Sequence, residues 1–416
     1  MPKNFMWKSG RPLPRIESHT LRKLEVLKNY LDVYFDTVVS TPASDCLNIT
    51  LVDGFAGGGA YQNGEGVADG SPLVLLNAVN RARERLNQNR KKPLEINARF
   101  FFIDDNKYHI EALRERLWQE GFGSQIGHGI EIIHGKFSEK LPDILSYIKL
   151  GQRAGRSIFL LDQFGYLDAP MESINLIFSN LKRPEVLLTF AIDGLLNYLQ
   201  ETSSELEKFR QFGITDQFIS EWNANKDDES LGRLVTQRTL MANIQMRSGS
   251  EFFTPFMLWS PTDKRWMMFV HLSRHQAARD KMLGVHWSEQ NYFKHIGPGS
   301  IFSLGFDVRL IETKDSLFSF ADQDKAIMND QLLENLPLEI RRYMTGGKLP
   351  VNVLLKNIAN RTAATNNDLF EGLMNLARYR EIDIFSKEEK IKRPGSKVDL
   401  SDTLAIPPQL TLFTPF

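Results

Sequence analysis

The sequence predicts an α/β protein: a Rossmann-like, doubly wound sheet, mostly parallel, that ends in an antiparallel hairpin. Three observations predict it. Five short apolar segments alternate with helical patterns up to residue 192. Two further strand-like segments, 252–259 and 266–271, are joined by Ser260-Pro-Thr-Asp-Lys264, a hairpin loop by its Pro and Asp. Three of the five strands end in aspartate, where doubly wound sheets bind their ligands.

Composition sets the outer bounds. At ~100–200 residues per domain, the 416 residues allow two domains or three. Hydrophobic residues are 42% and charged residues 25%, which excludes disorder as the main state. No segment approaches the ~18 consecutive apolar residues of a membrane span, and the N-terminal segment lacks the apolar region of a secretory signal. No membrane association is expected. A single cysteine, Cys46, excludes a disulfide framework and thiolate-rich metal sites, so a reducing cytoplasm is the expected location. The 51 Lys+Arg balance 51 Asp+Glu, which speaks against a dedicated nucleic-acid coat protein but not against an enzyme with one local basic strip.

The elements follow in order. Residues 18–38 carry Leu21, Leu24, Leu27, Leu31, Tyr34 and Val38 near a 3.6 period, an amphipathic helix. Leu47–Val52 is the first strand, ending at Asp53 and a glycine cluster; Tyr61–Asp69 reads as a loop. A helix begins at Gly70-Ser-Pro72, with proline in its first turn, and runs to about Asn89. Strands at 99–103, 130–133, 157–161 and 186–192 alternate with helices at 107–120, 139–150 and 169–180. Residues 200–248 read as a polar helical insertion, and the hairpin closes a methyltransferase-type domain covering 1–320. Five parallel strands plus a hairpin are typical of class I methyltransferases and less so of six-stranded dehydrogenases. Residues 321–348 read as a linker. From 349 to 416, two short helices, a strand and a charged hairpin predict a small winged-helix-like domain.

The chemistry concentrates at the strand ends. Asp53-Gly54-Phe55-Ala56-Gly57-Gly58-Gly59 allows a sharp backbone turn and close approach of a ligand. It lacks the Gly-Lys-Ser/Thr of a phosphate loop, and Gln62 breaks the dinucleotide fingerprint. An acidic strand end followed by glycines suits S-adenosylmethionine, with Asp53 facing the amino group or sulfonium and the glycines the carboxylate. A tight turn with no ligand accounts for the same residues. Asp104, ending the second strand, is placed to bind ribose hydroxyls, with Asp105 left to cap the next helix. Asp162 ends the fourth strand, followed by Gln163, Phe164 and Tyr166. A carboxylate there can accept hydrogen bonds from an amine undergoing methylation, and the two rings can stack on a base; a helix cap with two core aromatics is the alternative.

Together, several short motifs resemble the three-Cys-motif partner proteins, methyltransferase-like proteins usually encoded beside a radical-SAM-like protein with three clustered cysteines. They are His19-Thr20 with Lys23, Asp53-Gly-Phe-Ala-Gly57, Gly70-Ser-Pro72, Ile103-Asp104, Asp162-x-Phe-Gly165, and His271-Leu-Ser-x-His275 followed by Met282 and Trp287. The resemblance implies a Rossmann-like domain with a winged-helix-like C-terminal region, a bacterial or phage-associated setting, and the radical-SAM-like protein as partner. It adds Lys23, Gly54 and Phe55 to a cofactor set of Asp53, Gly57, Gly59 and Asp104. The fourth-strand motif is also similar to the Asp-Pro-Pro-Tyr of ribosomal-RNA adenine-N6 methyltransferases, but Gln163 and Phe164 replace both prolines.

Other chemistries fit less well. Cytosine-C5 methylation needs a nucleophilic cysteine after the fourth strand, and Cys46 precedes the first. His271 and His275 lack the intervening Glu of a zinc site, so no metal is expected. No acidic cluster of nuclease type is present. In 386–397, five cations, among them Lys390, Lys392, Arg393 and Lys397, face two glutamates and could follow a DNA or RNA backbone; Asp368 and Glu371 on the preceding helix argue against groove insertion. Two functional readings follow: an S-adenosylmethionine-dependent methyltransferase acting on a nucleic-acid base, with Asp162, Phe164 and Tyr166 on the substrate face, or a catalytically silent scaffold or nucleic-acid-binding subunit of a two-protein system.

Overall fold

A computed structural model describes residues 6–39, 45–151, 155–163, 168–191, 220, 244–260, 265–288, 294–296, 317–319 and 322–407. The chain divides into two compact units, Met1–His295 and Ile296–Phe416. In the first, β1 (Cys46–Asp53), β4 (Glu95–Asp104), β5 (Ile130–His134), β6 (Arg156–Leu161) and β7 (Arg183–Ala191) are parallel, and β8 (Phe252–Ser260) and β9 (Arg265–Ser273) complete the sheet antiparallel. The spatial order is β5-β4-β1-β6-β7-β9-β8. The chain starts in the middle, works to one edge, returns past β1 and finishes with the hairpin inverted. It is the expected α/β, Rossmann-like fold of class I methyltransferase type.

Central strands are apolar on both faces because helices cover both. Leu51, Val52, Phe102, Phe159 and Leu187 are fully buried. α1 (Ser18–Val38) packs on α2 (Ser71–Asn87) and on α6 (Gln276–Ser288). α4 (Phe137–Gly151) packs against α5 (Met171–Asn180); because the strand order reverses at β1, right-handed crossovers place this pair on the opposite face. α3 (Lys107–Gln119) bridges β4 and β5. Its cap is Asn106, whose side chain accepts from Tyr108 N; Asp105 does not take the capping role expected for it.

A buried polar cluster fixes α1 to the sheet. The Tyr30 hydroxyl donates to Glu185 Oε2, and His271 Nε2 lies 3.0 Å from the same oxygen. Tyr30 and His271 have no exposed surface. Burial first, then the Glu185 charge, pushes the Tyr30 hydroxyl well above the ordinary tyrosine range, so it stays a donor.

Two expectations are corrected. Tyr61–Asp69 is not a loop: β2 (Ala60–Asn63) and β3 (Gly66–Asp69) pair as a hairpin, with Gly64 in the left-handed region at its tip. Four-residue strands with one polar face carry too little alternation to stand out. Residues 321–348 are not a linker: α7 (Asp322–Tyr343) occupies most of them and buries Met328, Leu332, Leu336 and Ile340. Most of its charged residues face outward, Glu339 being the buried exception, and the charge and glycine content of 321–348 hide the buried stripe. The short strands β10 (Lys294–Ile296) and β11 (Leu317–Ser319) fall between hairpin and helix in sequence.

In the second unit α7 packs on α8 (Val351–Ile358) and α9 (Asn366–Arg378), and β12 (Leu349–Pro350), β14 (Thr403–Ala405) and β13 (Asp383–Phe385) form a three-stranded sheet in that order. Thr365 and Asp368 form a capping box at the start of α9, and Lys325 of α7 reaches Asp368 Oδ2 at 2.7 Å. Among the described residues no helix is long and apolar enough to cross a membrane. The insertion expected at 200–248 lies outside the described residues except for 220 and 244–248.

Because the seven-stranded sheet closes within the first unit, a chain ending at His295 is expected to fold with one cooperative transition in a circular-dichroism melt. Aggregation without such a transition would show that residues beyond 295 share its core.

Candidate functional site

β4, β1 and β6 are neighbours, so Asp104, Asp53 and Asp162 meet at one edge of the sheet, where the order reverses. The glycine turn is stitched between them. Gly54 N donates to Leu160 O and Ala56 N to Ile103 O, each at 2.9 Å. Gly57 N donates to Asp104 Oδ2 at 2.9 Å. Asp104 Oδ1 accepts from Asn106 N at 2.9 Å and faces His109 Nδ1 at 3.0 Å. The Asn106 amide nitrogen donates to His109 Nε2, leaving Nδ1 to carry the proton toward Asp104. Asp104, expected to bind ribose, therefore serves first as the clamp of the turn, with one acceptor position left on Oδ2.

Asp53 differs. It is completely buried; Oδ1 accepts from Phe55 N at 3.1 Å, and Oδ2 has no hydrogen-bond partner. Burial raises its pKa to about 7; the Ser71 hydroxyl and Phe55 amide oppose the rise, and the Asp162 and Asp104 charges add to it. Tyr61 of β2 shares this environment: burial, then the Asp162 and Asp53 charges, holds its hydroxyl above the ordinary range.

Asp162 is partly exposed and carries a cation. Lys23 Nζ lies 2.6 Å from Oδ1 and 2.5 Å from Oδ2. Tyr30 pins α1 over the amino-terminal part of β7, and Lys23, two turns earlier, reaches the carboxyl end of β6. Lys23, expected in the cofactor set, is tied to Asp162. Gln163, in place of a proline, is buried; its Oε1 accepts from Ala169 N at 3.0 Å and its amide donates to Thr189 O at 3.4 Å. It links the end of β6 to residue 169 and to β7. Phe164 and Tyr166 lie outside the described residues.

The glycines divide by role. A methyl on Gly54 would lie 2.8 Å from Leu161 Cδ2, and one on Gly59 2.8 Å from Leu113 Cδ1. At these two, both in the expected cofactor set, the packed leucines leave no room for a side chain. Phe55 is half-buried, its ring 6.2 Å from that of Phe137. Gly57 and Gly58 face an indole. A methyl on Gly58 would lie 2.1 Å from Trp7 Cγ, and one on Gly57 3.0 Å from Trp7 Cη2. Trp7 is 2% exposed and donates from Nε1 to Ala60 O at 2.6 Å. Its ring stands edge-on to those of His109 and Tyr61, at 4.9 and 5.1 Å.

Trp7, Tyr61 and His109 escaped the sequence reading, and Ser71 entered it only as part of Gly70-Ser-Pro72. His109 carried a signal, a polar ring in the first turn after Asp104. Trp7 carried none, being a lone aromatic in a polar lead segment.

In the second unit Lys390, Arg393 and Lys397 are exposed, but Lys392 is not free for phosphate. Its ammonium lies 2.6 Å from Asp402 Oδ2, 3.3 Å from Asp399 Oδ2 and 2.9 Å from Lys397 O. It ties the 386–402 segment together internally. His271 and His275, considered as a pair, have separate tasks: His271 belongs to the Tyr30–Glu185 cluster, and His275 Nδ1 accepts from Ala277 N.

No protein-family model and no curated protein matches the chain. Solved structures align with part of the chain. An S-adenosylmethionine-dependent methyltransferase from Geobacter sulfurreducens, in complex with S-adenosyl-L-homocysteine, is 16% identical, with 62% of this chain and 94% of that one covered and a TM-score of 0.26. One from Aquifex aeolicus is 10% identical over 61% and 98%, TM-score 0.24. Spermidine synthase from Thermotoga maritima is 11% identical over 62% and 61%, TM-score 0.29. The fold rests on the strand order of this chain itself.

Two outcomes test this geometry. Asp53 binds its proton more tightly folded than unfolded, so the wild type should lose stability as pH rises from about 4 to 7 and level off above. Asp53→Asn should lack that fall; parallel slopes in denaturant titrations at pH 5 and 8 would remove the burial argument. Lys392→Met should destabilise the second unit by roughly 2–3 kcal/mol, below the ~3–5 of a fully buried pair because Lys392 keeps some solvent contact. A melting temperature unchanged from wild type would contradict the tie.

Proposed function

We propose that the chain is an S-adenosylmethionine-dependent methyltransferase acting on a nucleic-acid base, by N-methylation, in partnership with a radical-SAM-like three-Cys-motif protein. The observation that carries the cofactor part is the buried, unpartnered Asp53 Oδ2 at the crevice edge. A buried carboxyl oxygen without a hydrogen-bond partner is costly, and a ligand ammonium meets its need. The cofactor supplies a methyl group made electrophilic by its sulfonium. Asp53 would hold the ammonium, the backbone of Gly57 and Gly58 would admit the ligand because neither bears a Cβ, and Asp104 would offer its remaining acceptor position to a ribose hydroxyl. Asp162, oriented by Lys23, would align an incoming amine and accept its hydrogen bond.

Support for the nucleic-acid part is the second unit's order of helix, strand, two helices and two strands, read as a winged helix, with Lys390, Arg393 and Lys397 exposed on the connecting segment. The partner is proposed from the motif resemblance. A second reading, the silent scaffold, is favoured by Trp7 lying on the glycine turn and by the engagement of Asp162 with Lys23.

Calorimetry separates the two. The methyltransferase reading expects micromolar binding of S-adenosylhomocysteine. The ammonium favours ionised Asp53, so binding should release a proton below pH 7 and weaken about tenfold between pH 8 and 6. Heats in buffers of different ionisation enthalpy report the proton. No binding at either pH would leave the scaffold. Where binding is found, Asp162→Asn should cut transfer of labelled methyl to a single strand by ~10²-fold while the cofactor affinity stays.

A further inference from the structure

The segment 6–17 ahead of α1 runs along β2 and the glycine turn. Ile16 N donates to Gln62 O and Gln62 N to Pro14 O, both at 2.9 Å, so the segment runs beside β2. Residues 8–12 form an exposed turn, with Arg11 N bonded to Lys8 O and Gly10 in the left-handed region. Beyond the turn the chain returns to bury one large side chain, Trp7. Met6, next to it, is 48% exposed. The indole lies in the space between the glycine turn, β2 and the first turn of α3, in van der Waals contact with Gly57 and Gly58 and against His109, which itself faces Asp104. That is the same space a ligand of Asp53, the glycine turn and Asp104 needs. No gap separates ring from backbone, so the indole cannot act as a cover laid over a bound ligand.

We propose that residues 6–17 are a strap, and that Trp7 and the methionyl–adenosyl ligand exclude each other on the glycine turn. The inference rests on the ligand reading above and adds regulation to that site. The ligand-competent state is the one with the strap lifted, so the apparent affinity of the wild type is lowered by the fraction of molecules in that state. Anything that holds the strap away raises cofactor affinity without touching a cofactor contact.

The probe is S-adenosylhomocysteine, measured by calorimetry with the full-length wild type and Trp7→Ala. Tenfold or tighter binding by the variant is expected. Equal or weaker binding overturns the strap and makes Trp7 a wall of the pocket, with the ligand reading intact; no binding by either protein overturns the ligand reading and the strap with it. Should Trp7→Ala fail to fold, the wild type alone decides. Trypsin cleavage after Lys8 and Arg15, both exposed, should be faster with saturating S-adenosylhomocysteine as the strap lifts, read by mass spectrometry. Slower or unchanged cleavage overturns it.

Discussion

The Asp104 carboxylate is the interaction on which the site depends. With two oxygens it joins two pieces of chain, the glycine turn after β1 through Gly57 N and the first turn of α3 through Asn106 N and the His109 ring. Hydrogen bonds to an ionised acceptor are worth ~1.5–3 kcal/mol each. They hold the turn at a fixed height over the ends of the strands, and the packing of Gly57 and Gly58 against the Trp7 ring follows. Asp53, one strand over, has the opposite character. It lacks such donors on one oxygen and sits under the turn that Asp104 fixes.

The two acidic strand ends thus divide the labour by environment. A saturated carboxylate gives shape; an under-satisfied one holds a free-energy debit that a cation can relieve. Asp162 is a third case, neutralised in advance by Lys23. That pairing depends on the placement of α1, which the Tyr30–Glu185–His271 cluster secures near the opposite end of the strands. A polar cluster buried far from the crevice therefore sets the position of a charge inside it.

Much of this was legible in the sequence, for physical reasons. Strands buried on both faces are written as apolar runs, such as Phe100-Phe-Phe-Ile103, and the aspartates that end them stand out because the contrast is sharp. The expected helix over 18–38 matches α1 because its buried stripe repeats at helical spacing. Polar partnership is a different matter. Nothing local tells that Lys23 meets Asp162, 139 residues on, or that Lys392 turns inward to Asp402 while Lys390 faces water. Nor does spacing distinguish Gly59, which makes room for Leu113, from Gly58, which makes room for an indole. Charged faces misled at α7, where the outward residues outnumber the buried stripe of Met328, Leu332, Leu336 and Ile340.

The hairpin β2–β3 leaves the chain and returns to where it left: Gly70 N donates to Gly59 O at 2.8 Å, and the two glycines touch because neither has a side chain. The passage from β1 through the glycine turn into α2 is therefore continuous in space although ten residues interrupt it in sequence. Such an excursion imposes no length requirement on its own tip, since its closure is made at the base. The buried Ala60 and the half-buried Tyr61 and Gln62 are all in the first strand, whereas Gly64 and Glu65 at the turn are exposed. The tip is thus a place where this architecture can accept foreign sequence, an affinity peptide or a fluorescent label, a few residues away from its most constrained backbone.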